Sequence, residues 1–552
     1  MNKSLPHPEA APFGADIHPT GLRLPLQRQA WDAELVRDTL NRVATPIYLL
    51  YDPEDNDEPR AFATEAADNG ATPQPFAGYV PGCVPTSLGN PSFRAAHGVR
   101  YSYYAGAMAN GIASVAMVQA LAEAGFLGIF GAAGLAPAEV EAAIQTLQQD
   151  CAGPFGVNFI HSPNEADLEN TLCDLYLRHE VRLVEASAFL DLTLPIVRYR
   201  VTGIHQDAEG RTVAPNRIIA KVSRIELARK FMSPPPEKML QALVAQGAIT
   251  EAQAALAAQI PMAEDITAEA DSGGHTDNRP AIALFPTIAA LRDQLQAEYD
   301  YATPLRVGLA GGISTPASVA AAFAMGAAYV VTGTINQACV ESGSSDLVRG
   351  MLAEAEQADV IMAPAADMFE MGVNVQVLKR GTMFSMRGAR LYQLYKSYDS
   401  LEALPEAERQ KLEKTVFRDS LDNTWAATRD FFLNRDPKEV ERAERDPKHK
   451  MALVFRSYLG QASRWANQGV ADRKIDFQVW CGPAMGAFNE WTRDSYLAEA
   501  GNRRVAVVAQ NLLYGAALLI RLESMRQQGF HLPETRSAVR PVTPQQLEEY
   551  LH

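Results

Sequence analysis

The sequence is poor in cysteine, poorer in cations than in acids, and free of any long uninterrupted apolar run. Cysteine occurs five times in 552 residues, as Cys83, Cys151, Cys173, Cys339 and Cys481. No two form a CxxC pair, which removes a zinc-ribbon or thioredoxin-type site and leaves free cytosolic thiols as the simplest reading. No metal centre is expected. Fifty Lys and Arg stand against 65 Asp and Glu, a formal net charge of −15. That balance disfavours broad contact with nucleic acid or with an anionic membrane. The opening residues, MNKSLPHPEAAPFGAD, have no apolar h-region, so no secretory signal is expected. The most apolar late stretch, Val505 to Leu522, is interrupted by Gln510, Asn511 and Arg521. It reads as a buried helix and not as a membrane span. A cytoplasmic location follows as the expectation.

What is present begins with a loop-rich segment, 1–99, holding recurrent prolines, the acidic run Asp52–Glu58 and a string of turns, PGCVPTSLGNP. It reads as an N-terminal cap. From Tyr101 short apolar runs alternate with Ala-rich amphipathic segments. Strands are expected at 101–107, 127–132, 153–160, 181–187, 218–223, 266–271, 306–311 and 329–333. Helices are expected at 112–124, 137–149, 165–178, 224–232, 286–298 and 316–325, with Pro137 and Pro316 in first turns. Eight strands with helical crossovers imply an α/β fold, a (β/α)8 TIM barrel over 100–344. A doubly wound open sheet is the alternative. Two insertions interrupt the pattern: 195–217, read as a hairpin, and 234–260, read as two short helices around Gly247. Beyond 340 the pattern becomes helical, at 345–358, 387–396, 405–432, 437–466 and 485–526. Residues 345–552 are therefore expected to be a mainly helical lid or oligomerisation region.

Chemistry concentrates at strand ends. GLAGGISTP (308–316) and VVTGT (330–334) each end an apolar strand. Gly311, Gly312, Gly333 and Thr334 would let the backbone close on a phosphate, at the turns after strands seven and eight that serve this purpose in barrels. The bland alternative is a pair of tight strand-to-helix turns. ITAEADSGGHTDNRP (266–280) delivers Gly273, Gly274 and His275 after strand six. His275 can donate or accept a proton near neutral pH, against a histidine that merely caps a turn. AGAMANGIAS (105–114), with Gly106 and Met108, is small enough for a flat ring to lie on the backbone, or simply packs the barrel mouth. Asn158 and Lys221 stand inside apolar strands, where a polar group needs a partner. The edge of a flavin ring or a phosphate would serve. For Lys221 an ion pair with Glu185 or Glu269 is the alternative.

These strings resemble the FMN-dependent barrel family of nitronate monooxygenases and flavin-containing enoyl reductases. Within it they resemble the PfaD branch of trans-acting enoyl reductases of polyunsaturated fatty-acid and polyketide synthases. EADSGGHTDNRP, MAPAADMFEMGVNVQVLKRGTMF, GPAMGAFNEW and NLLYGAA carry that closer likeness. The resemblance implies FMN contacts from Gly106, Met108, Asn158, Gly273, Gly274, Gly311, Gly312, Gly333 and Thr334. It implies NADPH or NADH as hydride donor, His275 as proton donor or thioester-carbonyl ligand, an acyl carrier protein presenting the substrate, and a homodimer. Relatives outside this branch carry Gln or Glu seven residues before the histidine; here Ala268 stands there and Glu269 follows.

Met371 to Tyr398 contains Lys379, Arg380, Arg387, Arg390 and Lys396 with no Asp or Glu. Two readings remain: a solvated basic face paired with the acidic segments 354–370 and 399–408, or an anion site at Lys379, Arg380, Arg387 and Arg390 for a phosphopantetheine phosphate, the NADPH 2′-phosphate or the acidic carrier protein itself. Two other functions also stand beside the reductase: a nitronate monooxygenase-like oxidase, and a flavin-free docking scaffold.

Overall fold

Eight short, mostly apolar strands close into one parallel sheet: β1 (Tyr103–Ala105), β2 (Leu127–Phe130), β3 (Phe155–Ile160), β4 (Leu183–Ser187), β5 (Arg217–Val222), β6 (Asp265–Glu269), β7 (Arg306–Ala310) and β8 (Val330–Thr332). Each pairs with its sequence neighbour, and β8 returns to β1 through Val330–Tyr103, Val331–Tyr104 and Thr332–Ala105. The sheet is a (β/α)8 barrel, so the open-sheet alternative is set aside. This computed structural model describes residues 23–51, 59–65, 73–162, 166–534 and 538–551; the acidic run Asp52–Glu58 and the opening segment to residue 22 lie outside them.

The strands are buried on both faces, which is why they read as continuous apolar runs. Inside the barrel, Tyr104, Ile129, Leu183, Ile219 and Val331 pack with Phe93 and Tyr329. Tyr329 can enter because residue 308 is glycine: a Cβ there would meet the Tyr329 ring at 2.1 Å. A polar column threads this core. The Tyr329 hydroxyl lies 3.1 Å from Thr267 Oγ1, which lies 3.1 Å from the Tyr104 hydroxyl.

At the strand starts, Asp265 accepts from Arg306 Nε at 2.6 Å and Nη2 at 2.7 Å, and meets His97 Nε2 at 2.9 Å. Burial works to raise the Asp265 carboxyl. Arg306 and then His97 outweigh it and hold the group well below the usual carboxylate range. His97 therefore ties the helix Pro91–His97 to the barrel floor.

Helices follow the strands as expected, with two differences. The helix after β6 runs Ala281–Tyr299, with Pro286 inside it. The segment read as a hairpin at 195–217 first makes the helix Leu194–Val201, and only His205–Gln206 and Thr212–Val213 pair. Pro195 in the first helical turn outweighs the β-branched run behind it. After β5 the second insertion forms Glu237–Ala245 and Glu251–Ala257, with Gly247 left-handed between them.

Beyond residue 340 the chain is mainly helical, as expected, with a short sheet between the helices Asp346–Ala353 and Phe384–Ser397. Val360–Pro364 and Asn374–Leu378 pair antiparallel, and Asn374–Leu378 also pairs with Gly274–His275. The long helices are broken where Asp436 and Asp446 cap new ones ahead of Pro437 and Pro447. Arg418 adopts a left-handed conformation ahead of the helix Leu421–Arg435. Phe369, Phe384, Leu391, Phe455, Tyr458 and Leu459 form this region's core.

By compactness the chain divides into one unit of 1–84, 517–539 and 545–552 and another of 85–516 and 540–544. Among its described residues the first unit is not loop-rich. Its five strands run antiparallel in the order Arg23–Leu24, Gln74–Val80, Ile47–Tyr51, Pro59–Ala63, Gln29–Ala30. Buried Arg521 donates to the carbonyls of Leu40 at 2.7 Å and Arg42 at 2.9 Å, capping the end of the helix Ala33–Asn41. Helix Val505–Gln527 is long and apolar enough to cross a membrane, but 72% of its most apolar window is buried in the protein.

Asp265→Asn strips the charge that Arg306 faces in the barrel floor. Urea unfolding should show a loss of about 3–5 kcal/mol at neutral pH. With a lowered folded-state value, the Asp265 contribution is complete above about pH 3.9 and is lost as pH falls below it. The gap between parent and variant should therefore close in acid; a constant gap would contradict the assignment.

Candidate active site

Hydrogen-bonded neighbours β7 and β8 end side by side, which brings the two glycine turns together. Gly311 has φ +87°, and a Cβ there would lie 2.6 Å from the Ala270 carbonyl carbon, so the turn packs directly on β6. Thr315 caps the helix Pro316–Ala324, and Ser318 Oγ accepts from Ser314 N and Thr315 N, each at 3.0 Å. Among the described residues, the N–H groups of Gly312, Ile313, Gly333 and Thr334 donate to no protein acceptor. A Cβ at Gly312 or Gly333 would meet open space. Spare donors beside open space at two strand ends suit a phosphate.

The turn after β1 rests against the neighbouring strands. Gly106 N donates to Thr332 O at 3.0 Å, and a Cβ on Gly106 would meet Val331 at 3.1 Å and Glu185 Oε1 at 3.4 Å. Half-buried Met108 accepts from Ala113 N through its carbonyl, which lies only 1.8 Å from where a Cβ on Gly131 would sit. Gly131 is thus as necessary to this loop as Gly106. Asn158 Nδ2 is spent on β4, donating to Glu185 O at 3.1 Å and Ser187 Oγ at 2.8 Å.

Beneath these turns lies a buried charge cluster. Glu185 is fully buried; its Oε1 accepts from Tyr104 at 3.0 Å and its Oε2 from Ala107 N at 3.1 Å. Lys221 Nζ sits 3.2 Å from Glu269 Oε1 and 4.0 Å from Glu185 Oε2. The ion-pair reading of Lys221 therefore holds with both carboxylates. Burial pushes the Glu185 carboxyl up, with Lys221 opposing. Burial also works against the Lys221 charge, but Glu185 and Glu269 outweigh it and raise the ammonium value.

The sixth strand end is covered by the chain beyond the barrel. Gly274, at φ +82°, pairs with Gln376, and His275 with Val375. A Cβ at Gly273 would lie 2.9 Å from Gly482 N, so GPAMG (482–486) crosses here, and Gln337 Nε2 holds Trp480 O at 2.6 Å. His275 Nε2 lies 3.2 Å from Asp367. Partial burial opposes the imidazolium; Asp367, then Glu269, outweigh it and raise the histidine value, with Lys221 working against them. Ser272 Oγ and Gln376 Oε1 are buried with no partner. The spare amides beside open space at the β7 and β8 turns fit the phosphate of FMN.

Sequence pattern alone does not mark Asp367, Gln376 and Gly131 as site residues, and it offers Glu185 only as an ion-pair partner of Lys221. Glu185 stands in an apolar strand, the same signal that marks Asn158 and Lys221. Asp367 lies 92 residues from His275 and has no local signal. Other histidines have structural partners: His161 meets Glu169 at 2.6 Å, and His449 meets Glu439 at 3.0 Å. A surface groove lined by Leu240, Val244 and Ala254 lies in the second insertion and contains none of these groups.

The anion site expected at Lys379, Arg380, Arg387 and Arg390 is not supported. Arg380 pairs with Asp359 at 3.1 Å, Arg390 with Glu408 at 2.7 Å, and Arg387 with buried Asp476. Arg380 and Arg390 are answered by acids of 354–370 and 399–408, as the solvated-face reading requires, whereas Arg387 is in a buried ion pair.

Residues 92–396 match the family model for nitronate monooxygenase, and 398–477 that for the inserted helical domain of [acyl-carrier-protein] S-malonyltransferase. The chain is 47% identical over 506 residues to a polyunsaturated fatty acid synthase polypeptide of Thraustochytrium sp., covering 90% of this chain and 33% of that one. It is 43% identical over 450 residues to polyketide biosynthesis protein PksE of Bacillus subtilis, covering 81% of this chain and 58% of that one. It thus spans a third to somewhat over half of these curated relatives. Among solved structures, the enoyl reductase domain of MlnA, from the macrolactin biosynthesis cluster of Bacillus amyloliquefaciens, superposes with a TM-score of 0.76 at 39% identity. That match covers 80% of this chain and 99% of the other.

Gly333 has a negative φ and open space around it, so Gly333→Ala should unfold within about 1 kcal/mol of the parent. It should weaken FMN binding about tenfold or more, read by equilibrium titration, because the methyl group occupies the space assigned to the phosphate. Unchanged FMN affinity would place the phosphate elsewhere.

Proposed function

The chain belongs to the nitronate monooxygenase family, and from that premise we propose that it is an FMN-dependent enoyl reductase acting on α,β-unsaturated thioesters. The observation that carries this reading is the likeness to the MlnA enoyl reductase domain along nearly all of that domain's length. The polyunsaturated fatty-acid and polyketide relatives support a substrate presented on an acyl carrier protein.

FMN, when bound, would supply the hydride-transfer chemistry between NAD(P)H and the β-carbon of the enoyl thioester. The free amides of Gly312, Ile313, Gly333 and Thr334 hold its phosphate. Gly106 and Met108 give the ring a backbone platform. Lys221, kept charged by Glu185 and Glu269, sets a fixed positive charge at the barrel mouth. His275 holds the proton for the α-carbon, and Trp480–Met485 helps exclude water. The reaction is balanced: one hydride at the β-carbon and one proton at the α-carbon convert C=C to CH–CH.

The family description favours a second reading, oxidation of nitronates with O2. Purified protein should be yellow, which a flavin-free scaffold would not be. It should consume NAD(P)H with an enoyl thioester, at higher kcat/KM on a carrier protein than as the free thioester. His275→Ala should retain FMN and lower kcat by about 10²-fold or more. Turnover of a nitroalkane with O2 and none of the enoyl thioester would replace this reading with the oxidase.

A further inference from the structure

We propose that Asp367 is the positioning residue for His275, holding the ring through Nε2 and leaving Nδ1 to deliver the proton; this rests on the enoyl reductase reading above. The two residues come from separate pieces of chain. His275 stands on the short strand after β6, and Asp367 in the turn between Val360–Pro364 and Asn374–Leu378. Pairing of His275 with Val375 brings that turn to the ring.

Asp367 lies 3.2 Å from Nε2, while the ring remains 40% exposed. A carboxylate at one ring nitrogen fixes the tautomer and stabilises imidazolium, which leaves the opposite nitrogen as the donor. When the Nδ1 proton goes to the substrate α-carbon, the neutral ring keeps its Nε2 proton toward Asp367. The half-exposed ring then regains a proton at Nδ1 from water. The charges facing the pair are Glu269, which favours the cation, and Lys221, which opposes it. Burial works against the Asp367 charge; His275, and after it Arg456, outweigh it and lower the carboxyl value, and Arg456 is itself held by Ala366 O at 2.9 Å and Glu370 at 3.2 Å.

The test uses the full chain loaded with FMN. His275 holds its donor proton below its folded pKa and loses it as pH rises through that value, so wild-type reduction should fall on the alkaline side. Asp367→Asn should move that limb to lower pH. Activity should drop roughly tenfold at about pH 8 and less than about twofold at about pH 6. Asp367→Glu should restore most of it. Flavin reduction by NAD(P)H and FMN affinity should be unchanged.

The second readout is the NMR titration of the His275 ring, assigned with His275→Gln. Its midpoint should lie above the ordinary value of about 6.5 in wild type and fall in Asp367→Asn. A wild-type ring titrating at or below the ordinary value, or one unmoved by Asp367→Asn, overturns the proposal. If wild type turns over no enoyl thioester, the reductase reading fails while the ring titration still decides the pair.

Discussion

A carboxylate buried out of reach of water has to be answered by its surroundings, and Glu185 imposes that requirement on the mouth of the barrel. Its two oxygens take a hydroxyl from β1 and a backbone N–H from the turn beyond β1. The nearest cation, Lys221, comes from β5 and is shared with Glu269 of β6. The backbone carbonyl of Glu185 takes Asn158 from β3. One residue therefore fixes five strands relative to one another. The Tyr104 hydroxyl that meets it also meets Thr267, which carries the arrangement through the core to Tyr329 and the barrel floor. The turn proposed as the flavin platform is thus seated on a polar base made entirely of protein groups.

Much of this is legible in the sequence because it is local. Each barrel strand is a short apolar run between helical segments, and all eight lie within a few residues of their expected positions. The glycine turns sit at strand ends that any reading of the pattern exposes. What escapes depends on partners far along the chain. Asn374–Leu378 is a strand only because Val360–Pro364 and Gly274–His275 flank it, and the latter lies about a hundred residues earlier. The sheet of the first unit includes strands as short as Arg23–Leu24, too brief to show alternation. The segment from Met371 to Tyr398 has no acids of its own. Asp359, Glu408 and Asp476 reach its arginines only through the fold, which is why a basic stretch in the sequence is a set of ion pairs in the structure.

The two family matches meet at the end of the helix Phe384–Ser397, between residues 396 and 398. Asp476 joins them. It pairs with Arg387 on the barrel-family side, and with the Tyr458 hydroxyl at 2.8 Å and Arg473 at 3.3 Å on the other. The barrel portion supplies the candidate chemistry. The chain that follows supplies Trp480 and Gly482 to the mouth. A site assembled this way is closed by sequence that the barrel family alone does not provide.

The most direct measurement is an anaerobic single turnover. Enzyme with bound FMN is reduced by one equivalent of NAD(P)H, freed of excess nucleotide, and mixed with a carrier-bound enoyl thioester. The account predicts that the oxidised flavin absorbance returns with one saturated thioester formed per flavin. A reduced flavin that ignores the thioester and is reoxidised only when O2 is admitted would contradict it.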